Sequence, residues 1–163
     1  MKKNIIFWMV LCVVLAFCLY VTPSASAASA EDEVLQVVKN FAEAVTNSDF
    51  ELMSSLYLHS PNISQFEPVT GYPFLEQGWE EIETWWNSVK TTPKGTNVIY
   101  LYQPHVNMVK DDVAVTTVYQ ILVSTDQPTK EQSISQMRQT LVVQKINGKW
   151  LIVHGHASEL PIK

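Results

Sequence analysis

Two histidines near the carboxyl end of the chain are its strongest candidates for acid–base chemistry. His154 and His156 lie in the apolar segment 150–158, whose composition is typical of a β-strand. Side chains two residues apart on a strand point to the same face, so the spacing predicts both imidazoles beside Trp150 and Ile152. Because histidine titrates near neutral pH, His156 is a candidate general base. A core or rim histidine held by hydrogen bonds is the simpler alternative.

Arg138 is the only arginine in the chain and precedes the last predicted hairpin. A two-residue turn at Asn147-Gly148 would place it opposite Ala157, pointing away from His156, whereas a three-residue loop would pair it with His156. The sequence leaves both registers open. A guanidinium here would donate to a ligand carboxylate or enolate, or else form an ion pair between strands or subunits.

The sequence predicts neither a metal site nor a cofactor. Strand alternation separates the two imidazoles, and no carboxylate within a few residues completes a ligand set. Both cysteines, Cys12 and Cys18, lie inside the apolar run 5–21. A cysteine nucleophile, a thiolate metal site and a disulfide framework are therefore excluded for the rest of the chain.

The amino-terminal segment has the pattern of a bacterial secretory signal peptide. Lys2 and Lys3 precede the apolar run, and small residues ending at Ala27 or Ala30 supply cleavage sites. We expect a signal peptide over residues 1–27 and a single domain over 28–163, secreted or periplasmic. An uncleaved membrane anchor is the alternative. The protein would then contact the membrane only through this segment.

The charge balance excludes nucleic acid as a partner. The chain has 163 residues and a net charge of −5, and the expected domain keeps sixteen acidic but only nine basic side chains. Phosphate binding requires clustered lysine and arginine, which this composition does not provide.

Three helices are predicted in the first half of the domain. Ser29 and Asp32 form a capping box before an apolar periodicity over 32–46, and Ser48 with Glu51 repeats the pattern before a second, short helix. A third helix carries one apolar stripe, which is expected to anchor the core and consists of Trp79, Ile82, Trp85, Trp86 and Val89.

The second half changes to strand periodicity. Long strands are predicted near 98–109, 113–124, 133–146 and 149–158, with a short strand near 63–66 and a bulge at Pro104. The predicted fold class is α+β, with three helices packed on a strongly curved antiparallel sheet of about four long strands. The runs 141–143 and 151–153 are apolar on both faces, so a homodimer through the outer sheet face is expected.

This arrangement resembles the SnoaL-like branch of the nuclear transport factor 2-like (NTF2-like) superfamily, which also includes ketosteroid isomerase-like proteins. The likeness rests on segments 41–49, 66–68, 78–82 and 138–140, and on the ending 147–161. It implies a cone whose curved sheet encloses an apolar pocket, often in a dimer. Members include isomerases, cyclases and dehydratases, so the fold alone does not fix a reaction.

The resemblance suggests a set of ligand-binding residues around the mouth of the cone. His156 lies near this mouth by analogy, Tyr57 resembles the tyrosine donor of isomerase-like members, and Glu67 stands where an Asp often precedes proline. No Asp occupies the sheet positions that the isomerase pattern requires. The expected ligand-binding set is Tyr57, His59, Trp79, Tyr119, Arg138, His154 and His156.

Three functions are compatible with the sequence. The first is an exported domain that binds a small, largely apolar molecule in the cone, with no established reaction. The second is a metal-free isomerase, cyclase or dehydratase in which His156 is the general base and Tyr57 or Arg138 stabilises an oxyanion. The third is a structural oligomerisation module.

Overall fold

The computed structural model describes residues 28–67, 74–89 and 96–160. The expected signal peptide and its Ala27 cleavage site lie outside this part of the chain. The helices are α1 (Ala30–Asn47), α2 (Phe50–Leu56) and α3 (Trp79–Val89). The strands are β1 (Ser64–Glu67), β2 (Phe74–Gln77), β3 (Asn97–Lys110), β4 (Val113–Thr125), β5 (Gln132–Ile146) and β6 (Lys149–Glu159).

The helical hairpin begins with the predicted capping box. The Ser29 side chain accepts from the Asp32 backbone N–H, and the Asp32 carboxylate accepts from the Ser29 backbone N–H. The second cap differs from the prediction: Asp49, not Ser48, accepts from Leu52 N–H at the start of α2. Ser48 instead ends α1 in the left-handed conformation, with φ 50°, and Asp49 occupies the position directly before the first residue of α2.

The sheet has six strands, in the order β2-β1-β6-β5-β4-β3. The four predicted long strands form its antiparallel body, and β1 joins β6 in parallel with β2 at the outer edge. The sheet therefore has six strands where about four long ones were expected: β1 is the short strand predicted near 63–66, and β2, which has only four residues, was not predicted. The predicted α+β class is confirmed: the helices pack on a curled, open sheet.

Three irregularities interrupt the register of the long strands, and one of them, between Met108 and Lys110, leaves Val109 without a partner. The predicted bulge at Pro104 is present, since Tyr102 pairs with Tyr119 but the next pair is His105 with Thr117. A second bulge was not predicted: Val142 pairs with His154, while Val143 pairs with Ile152, so Val153 is the extra residue. A single extra residue exchanges the faces of every side chain that follows it.

The helices cover one face of the sheet, which we call the inner face. Its core includes Val34, Val38 and Phe41 from α1, Ile82 from α3, and Leu141, Val143 and Ile152 from the sheet. Trp86 is buried as predicted, whereas Trp79 and Trp85 are only partly buried against this core. The opposite surface is the outer face. Cross-strand pairs share a face, so the register assigns each strand residue to one of the two.

Candidate functional site

The two histidines lie on the outer face, contrary to the sequence prediction. The bulge at Val153 separates their alternation from that of Trp150 and Ile152, which stay buried on the inner face. His156 pairs with Thr140 and is exposed, while the intervening Gly155 pairs with buried Leu141. His156 therefore faces away from the interior of the cone, where the general-base hypothesis required it.

His154 and His156 instead border an aromatic side chain of β1. Phe66 is the register partner of His156, and its ring centroid lies 5.6 Å from that of His156 and 6.1 Å from that of His154. The Nδ1 of His154 is 2.8 Å from the Ser64 hydroxyl, with which it forms a hydrogen bond. Partial burial and the charge of His156 both lower the pKa of His154, which favours its neutral form at pH 7.

Arg138 lies on the outer face with the histidines, in a register that neither predicted alternative gave. The two-residue turn at Asn147-Gly148 is present, but the bulge moves Arg138 opposite Ser158 instead of Ala157. Its neighbour on β4 is Tyr119, also exposed. Together they line a shallow cavity of about 210 Å³, whose other lining residues are Gln103, Thr117, Val118, Gln139 and Thr140. Neither residue reaches the interior that the ligand-binding prediction assigned to it.

His59 and Trp79 lie between α2 and α3, where their rings stack with centroids 4.1 Å apart and an interplanar angle of 11°. The Nε2 of His59 is 3.0 Å from the Ser54 carbonyl oxygen. Trp79 also contacts Tyr57, at 5.9 Å between ring centroids. Three of the seven predicted residues, Tyr57, His59 and Trp79, are thus brought together, and the other four lie on the outer face.

The interior contains a polar group centred on Tyr57, which is 3% exposed. Its hydroxyl donates a 2.5 Å hydrogen bond to Oε1 of Gln65, which is 1% exposed. Gln65 lies opposite Glu76 on the inner face, and Glu67 follows two residues later on the same face of β1. We call Tyr57, Gln65, Glu67, Glu76 and Trp86 the inner polar cluster.

Several atoms of the inner polar cluster are buried without a hydrogen-bond partner. They are both carboxylate oxygens of Glu76, Nε2 of Gln65 and Nε1 of Trp86. Burial, with a contribution from the charge of Glu76, raises the pKa of Glu67 to about 8. Burial, with a smaller contribution from the charge of Glu81, raises the pKa of Glu76, and the nearby backbone N–H of Glu76 itself, which is outside hydrogen-bonding geometry, partly opposes this. Proteins rarely leave such groups unpaired, because their desolvation is costly.

The pKa of Tyr57 is raised well above its usual value for the same physical reasons. Burial is the largest cause and the charge of Glu67 adds to it, while the polar edge of the nearby Trp86 indole, although it does not reach hydrogen-bonding geometry, partly opposes it. The phenol is therefore protonated at neutral pH and donates to Gln65. The cluster combines one fixed hydrogen bond with two acidic side chains held away from solvent.

Sequence reasoning singled out Tyr57 and Glu67 but missed Gln65 and Glu76. The available signal was alternation: Gln65 and Glu67 flank Phe66 at strand spacing, so both face opposite to it. Within the described residues, no group of three His, Cys, Asp or Glu side chains could hold a metal ion. None of the described helices has the length and apolar character needed to cross a membrane.

The curled sheet and its three helices define the NTF2-like class of folds. An NTF2-like superfamily protein from Salmonella enterica superposes with a TM-score of 0.65 at 23% identity, covering 80% of this chain and 90% of that one. The NTF2-like fold expected from the sequence is thus confirmed, while the SnoaL-like branch stays a prediction. Within that class, the chain belongs to the calcium/calmodulin dependent protein kinase II (CaMKII) association domain family, whose model matches residues 30–161.

Solved association domains have the same fold. The CaMKII hub of S. rosetta has a TM-score of 0.67 and 22% identity, covering 82% of this chain and 99% of that chain. The association domain of C. elegans CaMKII has a TM-score of 0.63 and 22% identity, covering 77% and 92% respectively. At these identities the likeness establishes the fold.

Proposed function

We propose that this protein is a self-association module in which copies join through the outer face of the sheet. The observation that carries the proposal is the location of the exposed large apolar side chains. Seven of the eight among the described residues fall on the outer face in the strand register: Phe66, Leu75, Tyr100, Tyr102, Tyr119, Ile121 and Ile134. The eighth, Val109, lies in a bulge of β3 and has no register partner. Exposed large apolar side chains gathered on one face of a sheet are typical of an interaction site.

Strand β4 has no charged side chain on the outer face. From Val113 to Thr125, the outer side chains alternate through Val115, Thr117, Tyr119, Ile121 and Val123. The outer face thus has few charged side chains but includes tyrosine and a single arginine, Arg138. This composition is typical of an interface core. A second copy of the same chain presents the same surface, so a symmetric contact buries both.

The family supports this function over the other two hypotheses. Its model is that of an association domain, and one similar solved structure is described as a hub. The enzymatic hypothesis needed His156 in the interior, but that side chain is exposed on the outer face. Self-association of this chain corresponds to the third function considered from the sequence, and to the expected homodimer.

Sedimentation velocity of the exported chain at micromolar concentration tests the proposal. We expect a species larger than a monomer, which Ile121→Glu dissociates, because a carboxylate would be buried at the centre of the contact. Gln36→Glu, on the exposed surface of α1, adds the same charge away from the sheet and should leave the assembly unchanged. A monomeric wild-type chain, or equal loss in both variants, would contradict the proposal.

We propose further that the module acts outside the cytoplasm. The support is the basic, apolar and small-residue order of residues 1–30. Mass determination of the protein recovered from the cell envelope or medium of a bacterial host should show a chain beginning at Ala28 or Glu31. An intact chain beginning at Met1 would indicate an uncleaved anchor instead.

A further inference from the structure

The inner polar cluster lacks a compensating charge. The carboxylate of Glu76 lies on a residue that is only 4% exposed, and neither of its oxygens accepts a hydrogen bond. Within residues 28–67, 74–89 and 96–160, neither Glu76 nor Glu67 forms an ion pair. The charges acting on the pair are those of other carboxylates, since Glu76 acts on Glu67 and Glu81 acts on Glu76. An uncompensated buried carboxylate is unfavourable unless a cation accompanies it.

Two unpaired donors lie in the same cluster. The Gln65 amide has its oxygen occupied by the Tyr57 hydroxyl, which leaves its Nε2 without an acceptor. The indole N–H of Trp86 is also buried and unpaired, on a side chain that is 7% exposed. These donors are independent of the acidic residues. They require an acceptor oxygen, which a simple metal cation does not supply.

We propose that the inner polar cluster binds a small organic ammonium ion that also carries a hydroxyl or carbonyl oxygen. The ammonium group would donate to the carboxylates of Glu76 and Glu67, and Glu67 would release its proton on binding because the adjacent cation favours the charged form. The oxygen of the ligand would accept from Gln65 and Trp86. Such a ligand pairs both kinds of unpaired atom at once. Charge-assisted hydrogen bonds to buried carboxylates are among the stronger polar contacts in proteins.

The aromatic surroundings suit the same class of ligand. The ring of Tyr57 lies beside that of Trp79, and Trp86 packs edge-on against Phe41 at 5.7 Å between centroids. Aromatic faces attract ammonium groups and cover the apolar carbons that carry them. The sequence-based expectation was a largely apolar ligand anchored by Arg138 and His156. The interior instead presents carboxylates, and both of those anchors lie on the outer face.

Four probes of equal size separate charge from shape: 3-amino-1-propanol, n-butylammonium, 1-butanol and propionate, at constant ionic strength. Tryptophan fluorescence and the midpoint of thermal unfolding are followed for the chain without the expected signal peptide, residues 28–163. At about 10 mM, 3-amino-1-propanol should give a saturable fluorescence change and raise the midpoint by about 3 °C or more. Butylammonium, which lacks the acceptor, should bind about tenfold more weakly, and the neutral and anionic probes should not bind.

Variants then locate the site. Glu76→Gln should weaken 3-amino-1-propanol binding at least about tenfold, since it removes the charged partner of the ammonium group. Glu67→Gln gives a second test should Glu76→Gln not fold. Glu80→Gln, on the exposed side of α3, removes the same charge from the surface and should bind like the wild type.

The proposal is overturned if propionate or 1-butanol matches the aminoalcohol. It is also overturned if the folded wild-type chain shows no saturable response to either ammonium probe up to about 50 mM, or if Glu80→Gln weakens binding as much as Glu76→Gln. None of these results depends on the oligomeric state, which sedimentation reports separately.

Discussion

The Tyr57 hydroxyl lies 2.5 Å from Oε1 of Gln65, and both side chains are almost fully excluded from solvent. This contact joins the end of α2 to the short strand β1, eight residues later in the chain. Since β1 also pairs with β6, the hydrogen bond attaches the helical hairpin to the sheet at the inner polar cluster.

Removing this hydroxyl should destabilise the protein. Tyr57→Phe leaves Gln65 Oε1 buried without a donor, at a cost of about 1–3 kcal/mol in the free energy of unfolding. Urea denaturation of the variant and the wild type measures the difference. Gln65→Met in the Tyr57→Phe background removes the unpaired amide and should recover part of the loss. A Tyr57→Phe variant as stable as the wild type would show that the contact contributes nothing.

The buried carboxyl of Glu67 should make the fold less stable at alkaline pH. Its pKa is raised from 4.5 to about 8, so the folded state binds a proton that the unfolded state releases between these values. The stabilisation is complete below pH 4.5 and is lost as the pH rises through 8. Between pH 5 and pH 9 the free energy of unfolding should decrease through this group by an amount on the order of a few kcal/mol.

Glu67→Gln should flatten that dependence. Urea unfolding at pH 5, 7 and 9 should show the variant gaining stability over the wild type as the pH rises, with the largest gain at pH 9. Glu80→Gln, on an exposed residue, is the matched control and should follow the wild type. A constant difference between Glu67→Gln and the wild type at all three values would contradict the assignment.

His154 should oppose folding in acid. Its folded pKa is lowered by burial and by His156, so below pH 6.5 the unfolded chain binds more protons than the folded chain. Stability contributed by neutral His154 is therefore lost as the pH falls from about 6.5 through the lowered pKa. His154→Asn should reduce the loss of unfolding free energy between pH 7 and 5, as measured in urea. His105→Asn, an exposed histidine on β3, should not.

Gly148 should tolerate substitution less well than Gly155. Its φ is 81°, and a Cβ there would meet no atom within 4 Å, so only the backbone conformation resists a side chain. Gly148→Ala should cost about 1 kcal/mol in the free energy of unfolding. At Gly155 an added Cβ would lie 3.6 Å from Leu141, an ordinary contact. Thermal unfolding of the two variants compares them, and a larger loss for Gly155→Ala would reverse this order.

The turn that closes the last hairpin was predictable, because Asn147-Gly148 favours positive φ at both positions, which are 51° and 81°. The bulge six residues later was not. Leu151, Ile152 and Val153 are all apolar, so either face of this run could be buried. The alternation therefore does not reveal where the strand register shifts by one residue. Every error about the faces of the histidines and Arg138 follows from that single extra residue.

The interior was predicted in part. Tyr57 could be assigned from its place after the second helix, and Glu67 from its place before Pro68. Gln65 and Glu76 become partners only through the pairing of β1 with β2, strands of four residues each. Strands so short carry too little alternation to fix a register from the sequence. The link between these polar residues is tertiary, and local patterns do not encode it.

The extra residue at Val153 also determines what the last strand presents to other molecules. Deletion of its codon would leave Ile152 directly before His154, so both imidazoles would stay on the outer face of a regular strand. They face outward because Val153 is accommodated as a bulge; if Val153 took a register partner of its own, His154 and His156 would face the lumen, and Gly155 and Ala157 would face outward. The pairing of one residue therefore decides whether the last strand displays histidines to a neighbouring molecule or to an enclosed guest.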